Sequence, residues 1–192
     1  DEIILKEKGK GLKVRATPSN CSQGKDNIVY RAAEALFKEA GVALNLDIEI
    51  KKHIPVSAGL GGGSSDAASA LRAINEIFKL GVSVKRLFSI SVDIGKDVPF
   101  FIEDNSFAVA RGAGELLEPV ESPADFFHVL IKPFISLSTS IMYERIDKFS
   151  SFKKGSLEGA LKSIRENNIE RLEKNYYNIF ENALGQDSIH ID

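Results

Sequence analysis

The residues with the clearest chemical potential are the glycines and serines of a short stretch, HIPVSAGLGGGSSDAASAL, at 53–71. Four glycines fall within the five positions 59–63, directly ahead of a run of small, helix-forming residues. Glycine has no Cβ, so the N–H groups of such a turn can face one point, and the helix start adds its positive end. Ser64 and Ser65 add hydroxyls for phosphate oxygens or a magnesium ion. A flexible connection with a serine cap is the structural alternative, but this glycine density favours an anion cradle able to hold a triphosphate.

Two familiar phosphate motifs do not fit this stretch. A Walker A loop requires Gly-Lys-Ser/Thr at the helix start, whereas Gly63 is followed by Ser64 and the turn contains no lysine. A dinucleotide-binding fingerprint requires glycine at its first, third and sixth positions. Gly59 and Gly61 fit that spacing, but its sixth position is serine. The sequence therefore predicts a phosphate cradle of another kind.

Asp97, in the segment GKDVPFF at 95–101, is the second chemical candidate. Pro99 predicts that Val98 is held away from the helical region, which would constrain the backbone around the carboxylate. From the sequence alone, an acid placed this way fits a helix cap or a surface turn, and Lys96 beside it fits a surface lysine. A carboxylate held in a fixed position can also serve as a general base.

The elements that must position these residues form a mixed pattern of strands and helices. Gly9-Lys10-Gly11 predicts a hairpin between two strands within 2–17. Asp26 is a candidate cap for a helix that ends at Gly41, and 44–50 alternates as a half-buried strand. Further predicted elements are a helix from about 64 to 80, a helix capped by Ser83 that runs to about 94, a short strand within 107–115 that enters a glycine turn, a linker at 118–125, a strand at 126–133, and three helices after it, the last closed by Gly185. Strands and helices without strict alternation favour an α+β fold.

Composition excludes several classes of protein. The chain has 192 residues, 43% of them hydrophobic, with a formal net charge of -2, so the overall field does not favour a nucleic-acid partner. The lysine pairs at 51–52 and 153–154 are interpreted as solvated surface. The single cysteine, Cys21, excludes an intramolecular disulfide and fits a reducing cytoplasm. No apolar run approaches the length of a membrane span, and the three histidines (His53, His128 and His190) show no metal-ligand spacing.

Residues 55–68, PVSAGLGGGSSDAA, resemble the second conserved motif of the GHMP small-molecule kinases, which is their ATP phosphate loop. Segments within 26–143 agree with this family in the same order. The resemblance implies an α+β fold with a ribosomal protein S5 domain 2-like N-terminal domain at 1–122 and a partial C-terminal domain at 123–192. It also implies ATP and Mg²⁺ as cofactors. The residues it assigns to ATP are Pro55, Val56, Ser57, Ala58, Gly59, Leu60, Gly61, Gly62, Gly63, Ser64 and Ser65, with Asn27 near the adenine.

The same resemblance implies roles for residues outside the loop. Asp97 matches the family's catalytic aspartate, a general base that accepts the proton of the substrate hydroxyl as it attacks the γ-phosphorus. Thr139, Ser140 and Tyr143 fall where the family lines a cytidine pocket, although related enzymes often have proline at the position of Ser140. Asn27 and Tyr143 also have ordinary structural interpretations, as a helix cap and as helix surface respectively.

The triple glycine before Ser-Ser is typical of the branch of the family that phosphorylates the 2-hydroxyl of 4-diphosphocytidyl-2-C-methyl-D-erythritol in non-mevalonate isoprenoid synthesis. The alternatives are a GHMP kinase for another substrate, such as homoserine or mevalonate, and a nucleotide-binding fragment without activity. The family's N-terminal lysine and Tyr-His stretch and its C-terminal glycine motif are absent from 1–192, so we expect a piece of a longer kinase that is a poor catalyst by itself. We expect a cytoplasmic monomer or homodimer with no nucleic-acid or membrane partner.

Overall fold

The computed structural model describes residues 1–7, 10–43, 45–103, 105–122, 126–132, 139–149 and 155–184. The chain divides into two compact units, 1–119 and 120–192, and each is described by itself. Within the described ranges, no helix combines the length and the apolar character needed to cross a bilayer.

The first unit contains a three-stranded mixed sheet formed by β1 (Glu2–Glu7), β2 (Leu12–Thr17) and β3 (Leu46–Lys51). β3 is the central strand, antiparallel to β1 and parallel to β2. The predicted β1–β2 hairpin is therefore wrong, and Gly9 of its turn lies outside the described residues. The reason is visible at Gly11, whose carbonyl accepts from the Leu46 N–H at 3.1 Å and so pairs with β3 instead of turning back to β1.

Four helices complete the core of this unit: α1 (Ile28–Ala40), α2 (Gly62–Ile77), α3 (Val84–Ile94) and α4 (Val98–Ile102). The apolar stripe of α1 is buried against the other elements because its members recur at helical spacing. They are Val29, Ala32, Ala33, Leu36 and Phe37.

The caps of these helices agree in part with the predictions. The Ser83 side chain accepts from the Arg86 N–H and caps α3, as predicted. At α1 the cap is Asn27 rather than Asp26, because Asp26 belongs to a preceding 3-10 turn, Gly24–Asp26.

The start of α4 also differs from the expectation. Val98 is the first residue of α4 and is helical, although Pro99 follows it. A proline is tolerated in the first turn of a helix because its missing N–H would have no intrahelical partner there. The predicted exclusion of Val98 from the helical region is therefore wrong.

A two-stranded hairpin, β4 (Ala108–Arg111) and β5 (Leu116–Pro119), follows α4. The predicted strand that enters a glycine turn is confirmed as β4. β5 extends into the segment predicted to be a linker, because its residues pair in antiparallel register with β4.

The second unit contains α5 (Thr139–Ile146), α6 (Leu157–Arg165), α7 (Ile169–Asn175) and a 3-10 helix, Ile179–Ala183. Three predicted helices are thus present, but the last stops at the extended Tyr176; its predicted end, Gly185, lies outside the described residues. The predicted strand at 126–133 is wrong over the described part, 126–132, which joins no sheet in the described chain. Phe127 there is 98% exposed.

Candidate functional site

A cavity of about 490 Å³ lies at the start of α2, and the predicted glycine loop forms much of its lining. One wall is the loop itself, 55–64, with Lys52 and Asp66 beside it. The remaining lining residues are 20–22 and 26–28, and of these only Asn27 is predicted from the sequence to bind the nucleotide. The structure therefore brings Asn27 and the predicted loop to one cavity.

The loop delivers the N-terminus of α2 to this cavity without a side-chain cap. Gly61 occupies the N-cap position in the left-handed region, with φ of 65°, and glycine has no side chain to accept from the first N–H groups. By contrast, side chains cap α1 and α3 at their starts. The first N–H groups of a helix lack intrahelical partners and carry the positive end of the helix dipole. An uncapped α2 start is therefore suited to an anion.

The glycines at 61 and 62 make room for protein atoms behind the loop. A Cβ on Gly61 would lie 2.9 Å from Cζ of Phe101, and a Cβ on Gly62 would lie 2.9 Å from Cγ2 of Ile54. A side chain at either position would therefore collide with the residues that support the loop. By contrast, nothing lies within 4 Å of a Cβ built on Gly59.

A buried ion triad of Asp1, Lys52 and Asp66 closes the base of the loop. Lys52 Nζ donates to Asp66 Oδ2 at 2.8 Å and also donates to Asp1 Oδ2. The three side chains are 3%, 9% and 6% exposed, in chain order. Lys52 directly precedes the loop and Asp66 lies in the second turn of α2, so the triad joins the loop's two ends.

Asp1 and Asp66 each add an electrostatic feature to the triad. The other oxygen of Asp1, Oδ1, accepts from the N–H groups of His53 and Ile54 at 2.6 and 2.7 Å. Burial raises the pKa of Asp66, and its hydrogen bond and ion pair with Lys52 oppose that rise.

The interpretation of the lysine pair at 51–52 as solvated surface is wrong for Lys52, whose side chain is buried. Only Lys51 is on the surface, where it pairs with Glu2 at 3.2 Å. The signal was present in the sequence: side chains alternate along a strand, and Lys52 continues the buried parity of Ile48 and Ile50. The other pair, at 153–154, lies outside the described residues.

Two predicted nucleotide-binding residues, Asn27 and Ser65, form local hydrogen bonds. Asn27 is 8% exposed; its Oδ1 accepts from the Val29 N–H at 2.9 Å, and its Nδ2 donates to the Ser22 carbonyl at 2.7 Å. Ser64 lines the cavity. Ser65 is not among the lining residues, and its hydroxyl donates to the Gly62 carbonyl at 3.0 Å.

Asp97 occupies the N-cap position of α4 and is exposed, but its side chain makes no capping hydrogen bond. It does not line the cavity. α4 nevertheless connects it to the glycine loop, because Phe101, one turn further along, is the residue packed behind Gly61. On the other side, the β4–β5 turn approaches Lys96, since a Cβ on Gly114 would lie 3.4 Å from the Lys96 carbonyl oxygen.

The predicted substrate-binding residues belong to α5 in the second unit. Tyr143 is 57% exposed, and its ring makes an edge-to-face contact with Phe180 at a centroid distance of 5.1 Å. The backbones of Thr139 and Ser140 form the first turn of α5. Their assignment to a substrate pocket stays a prediction.

The matches to a family model and to curated proteins agree with one another, since all of them are to kinases. Residues 27–105 match the GHMP kinases N terminal domain. A 4-diphosphocytidyl-2-C-methyl-D-erythritol kinase of Alkaliphilus metalliredigens is 34% identical over 95% of this chain and 63% of its own length. The corresponding kinase of Geobacter metallireducens is 41% identical over 76% of this chain and 52% of its own.

Solved structures agree with this result. A crystal structure of 4-(cytidine 5'-diphospho)-2C-methyl-D-erythritol kinase superposes with a TM-score of 0.73 at 29% identity, covering 96% of this chain and 63% of that chain. Homoserine kinase from Cytophaga hutchinsonii shares the fold at 16% identity, with a TM-score of 0.67, and its match covers 96% of this chain and 64% of that chain. The first curated relatives are thus matched over less than two thirds of their length. The expected α+β fold of the GHMP kinase type is confirmed.

Proposed function

We propose that this chain, which belongs to the GHMP kinase family, is part of an ATP-dependent kinase that phosphorylates the 2-hydroxyl of 4-diphosphocytidyl-2-C-methyl-D-erythritol. The observation that carries the proposal is the uncapped start of α2, which opens on a cavity lined by the loop 55–64. The similarity to curated kinases that bear this substrate's name supports the choice of substrate.

The loop binds the ATP phosphates through the backbone N–H groups at the start of α2, and the Ser64 hydroxyl adds a further polar group. These donors suit a polyanion because the helix dipole acts in the same direction. Asn27, which also lines the cavity, lies near the nucleoside. The ion triad, which joins the two ends of the loop, keeps these donors in place before the nucleotide arrives.

A magnesium ion fits this chemistry. Mg²⁺ in kinases is held mostly by substrate phosphates and water, with one or two oxygens from the protein. The described residues offer the hydroxyl of Ser64 and the carboxylate of Asp66, one oxygen of which is already bonded to Lys52. When bound, the ion neutralises charge that develops on the phosphates.

Asp97 acts as the general base. Its carboxylate accepts the proton of the substrate hydroxyl as the oxygen–phosphorus bond to the γ-phosphate forms and the bond to the ADP oxygen breaks. An uncapped, exposed carboxylate at a helix start is free to approach a substrate, whereas one that closes a cap would not be.

The test measures ADP release by the protein that carries this sequence, with ATP, Mg²⁺ and 4-diphosphocytidyl-2-C-methyl-D-erythritol, beside a titration of ATP binding. Asp97→Asn should remove turnover and leave ATP binding intact. Asp93→Asn is the control, since Asp93 is an exposed carboxylate four residues earlier, in α3, and its replacement should leave both unchanged. Turnover that survives Asp97→Asn would refute the role of the base.

Two other outcomes would change the proposal. Preferential turnover of homoserine or mevalonate in a substrate panel would assign the chain to another GHMP kinase. ATP binding without turnover of any of these alcohols would mean a nucleotide-binding fragment. We further assign 1–122 to the N-terminal kinase domain and 123–192 to part of the C-terminal domain, with Thr139, Ser140 and Tyr143 near the cytidine, in a cytoplasmic monomer or homodimer.

A further inference from the structure

One side chain of α1 touches both halves of the site. Ile28 Cγ2 faces Gly63 in the first turn of α2, where a Cβ on the glycine would lie 3.7 Å away. Its Cδ1 faces Gly95, where a Cβ would lie 3.2 Å away. Gly63 belongs to the phosphate loop, and Gly95 is two residues before Asp97. The two branches of this isoleucine thus contact the nucleotide cradle and the turn that carries the candidate base.

The turn at Gly95 is held by α1 at a second point. Arg31, one helical turn after Ile28 on the same face of α1, donates from its guanidinium to the Ile94 carbonyl at 3.2 Å. That carbonyl lies at the end of α3, immediately before Gly95. α1 begins at Ile28, directly after its cap Asn27, and both residues line the cavity, so one helix connects the cradle to the turn before Asp97.

From this geometry we infer that Ile28 is a positioning residue that sets the spacing between the phosphate cradle and Asp97. This role rests on the proposed function. Phosphoryl transfer depends mainly on the alignment of attacking and leaving oxygens, so an error in that spacing acts on the chemical step rather than on ATP binding. Gly95 has an extended backbone, with φ of -176°, which any residue can adopt. Its lack of a side chain matters here because the Cδ1 of Ile28 and the Cγ2 of Val98 occupy the space, at 3.2 and 3.3 Å from the position of a Cβ.

The two branches of Ile28 can be separated by mutation. Ile28→Val removes Cδ1, which faces Gly95, and retains the methyl that faces Gly63. Gly95→Ala inserts a methyl against Cδ1 and displaces the turn by a few tenths of an ångström. A misplacement of about 1 Å lowers the rate of the chemical step about 100-fold. Because the displacement here is only a few tenths of an ångström, we expect Gly95→Ala to lower kcat about five-fold and to leave the KM for ATP within about two-fold of the parent.

The double variant provides the decisive comparison. The Ile28→Val background relieves one of the two tight contacts of the added methyl and leaves the other, Cγ2 of Val98 at 3.3 Å, so Gly95→Ala should lower kcat clearly less in that background than in the parent. Ile74→Val is the control, because it removes the same atom from a fully buried isoleucine that lies about 18 Å along α2 from its first residue, Gly62. It should lower thermal stability as Ile28→Val does and leave kcat unchanged.

Each result has one meaning. Rescue of kcat by Ile28→Val, with KM for ATP unchanged, supports the positioning role. An equal kcat loss from Gly95→Ala in both backgrounds, in a parent that turns over, overturns this role alone. A parent without any turnover of the proposed substrate overturns the proposed function, and the positioning role with it.

Discussion

Replacing Lys52 with methionine tests the ion triad beneath the loop. The substitution keeps a long side chain but leaves two carboxylates, Asp1 and Asp66, facing each other at 3% and 6% exposure. Removing one partner of a buried pair costs about 3–5 kcal/mol. Protonation limits that cost: neutralising an ordinary aspartate at pH 7 costs about 4 kcal/mol, since one pKa unit is worth about 1.4 kcal/mol. Burial already raises the pKa of Asp66, so we expect a loss of about 2–4 kcal/mol at pH 7.

The assay is urea unfolding followed by far-ultraviolet circular dichroism at pH 7 and pH 5, with Lys51→Met as the matched control. Lys51 is 46% exposed and pairs with Glu2, which is 53% exposed, so its removal should cost about 0–1 kcal/mol at both pH values. Protonating one of the two carboxylates of the Lys52→Met variant costs less free energy at pH 5 than at pH 7. The destabilisation caused by Lys52→Met should therefore be smaller at pH 5, by up to about 2.7 kcal/mol.

Two results would refute this reasoning. Equal losses for the two lysine variants would mean that the buried position of Lys52 has no energetic consequence. A Lys52→Met loss that is the same at pH 5 and pH 7 would mean that no carboxylate is left uncompensated. Either result would also contradict the interpretation that the triad holds the two ends of the loop together.

Three further predictions concern the loop and its surroundings. Gly61→Val should lower ATP affinity at least about ten-fold in a binding titration, because φ is 65° and its Cβ meets Phe101; Gly41→Val, with a similar φ of 67° and open space, should retain affinity. The raised pKa of Asp66 means that the folded state binds its proton more tightly than the unfolded state, so this residue's contribution to stability falls as pH rises above 3.8. Asp66→Asn should abolish that slope in unfolding free energies measured across this range, and an unchanged slope would contradict the assignment. Asn27→Ala should cost about 1 kcal/mol through the lost α1 cap, measured by thermal unfolding, whereas Asn27→Asp keeps the acceptor and should cost less.

The sequence predicts this fold best where the signal is local. Ser83 at the start of α3 and Gly41 at the end of α1 act within one turn, so residue type and spacing identify them. The hairpin at Gly11 fails for the opposite reason. The pairing is decided by β3, more than 30 residues later, whose backbone N–H and C=O groups pair with β1 on one edge and with β2 on the other. The residue types in a turn do not indicate whether the strand that follows it pairs with the preceding strand or with a strand far away in the sequence.

The candidate site likewise combines a local feature that the sequence predicts with distant contacts that it does not predict. The glycine loop is visible because its unusual composition lies within one short stretch, and the cavity does form around it. The supports behind the loop come from three separate parts of the chain: Asp1, Phe101 and Ile28. Phe101 belongs to the segment 95–101, but nothing in that segment assigned it a role beside the loop. Among the loop's supports, Lys52 had a detectable signal, in the alternation of β3. Residues that hold a loop by packing are ordinary in type and become functional only through position.

The glycines of the loop therefore serve different physical purposes. Gly61 combines a left-handed backbone with close contact to Phe101, and Gly62 is helical but packs against Ile54. Gly59 needs only its left-handed backbone, since no atom lies within 4 Å of its missing Cβ, while a Cβ on Gly63 would make an ordinary contact. A phosphate cradle alone would require open space in front of each N–H group. The crowding behind 61 and 62 follows instead from a loop fixed by its own protein, and that fixed backbone holds the N–H groups in place without the cost of ordering them when the phosphates bind.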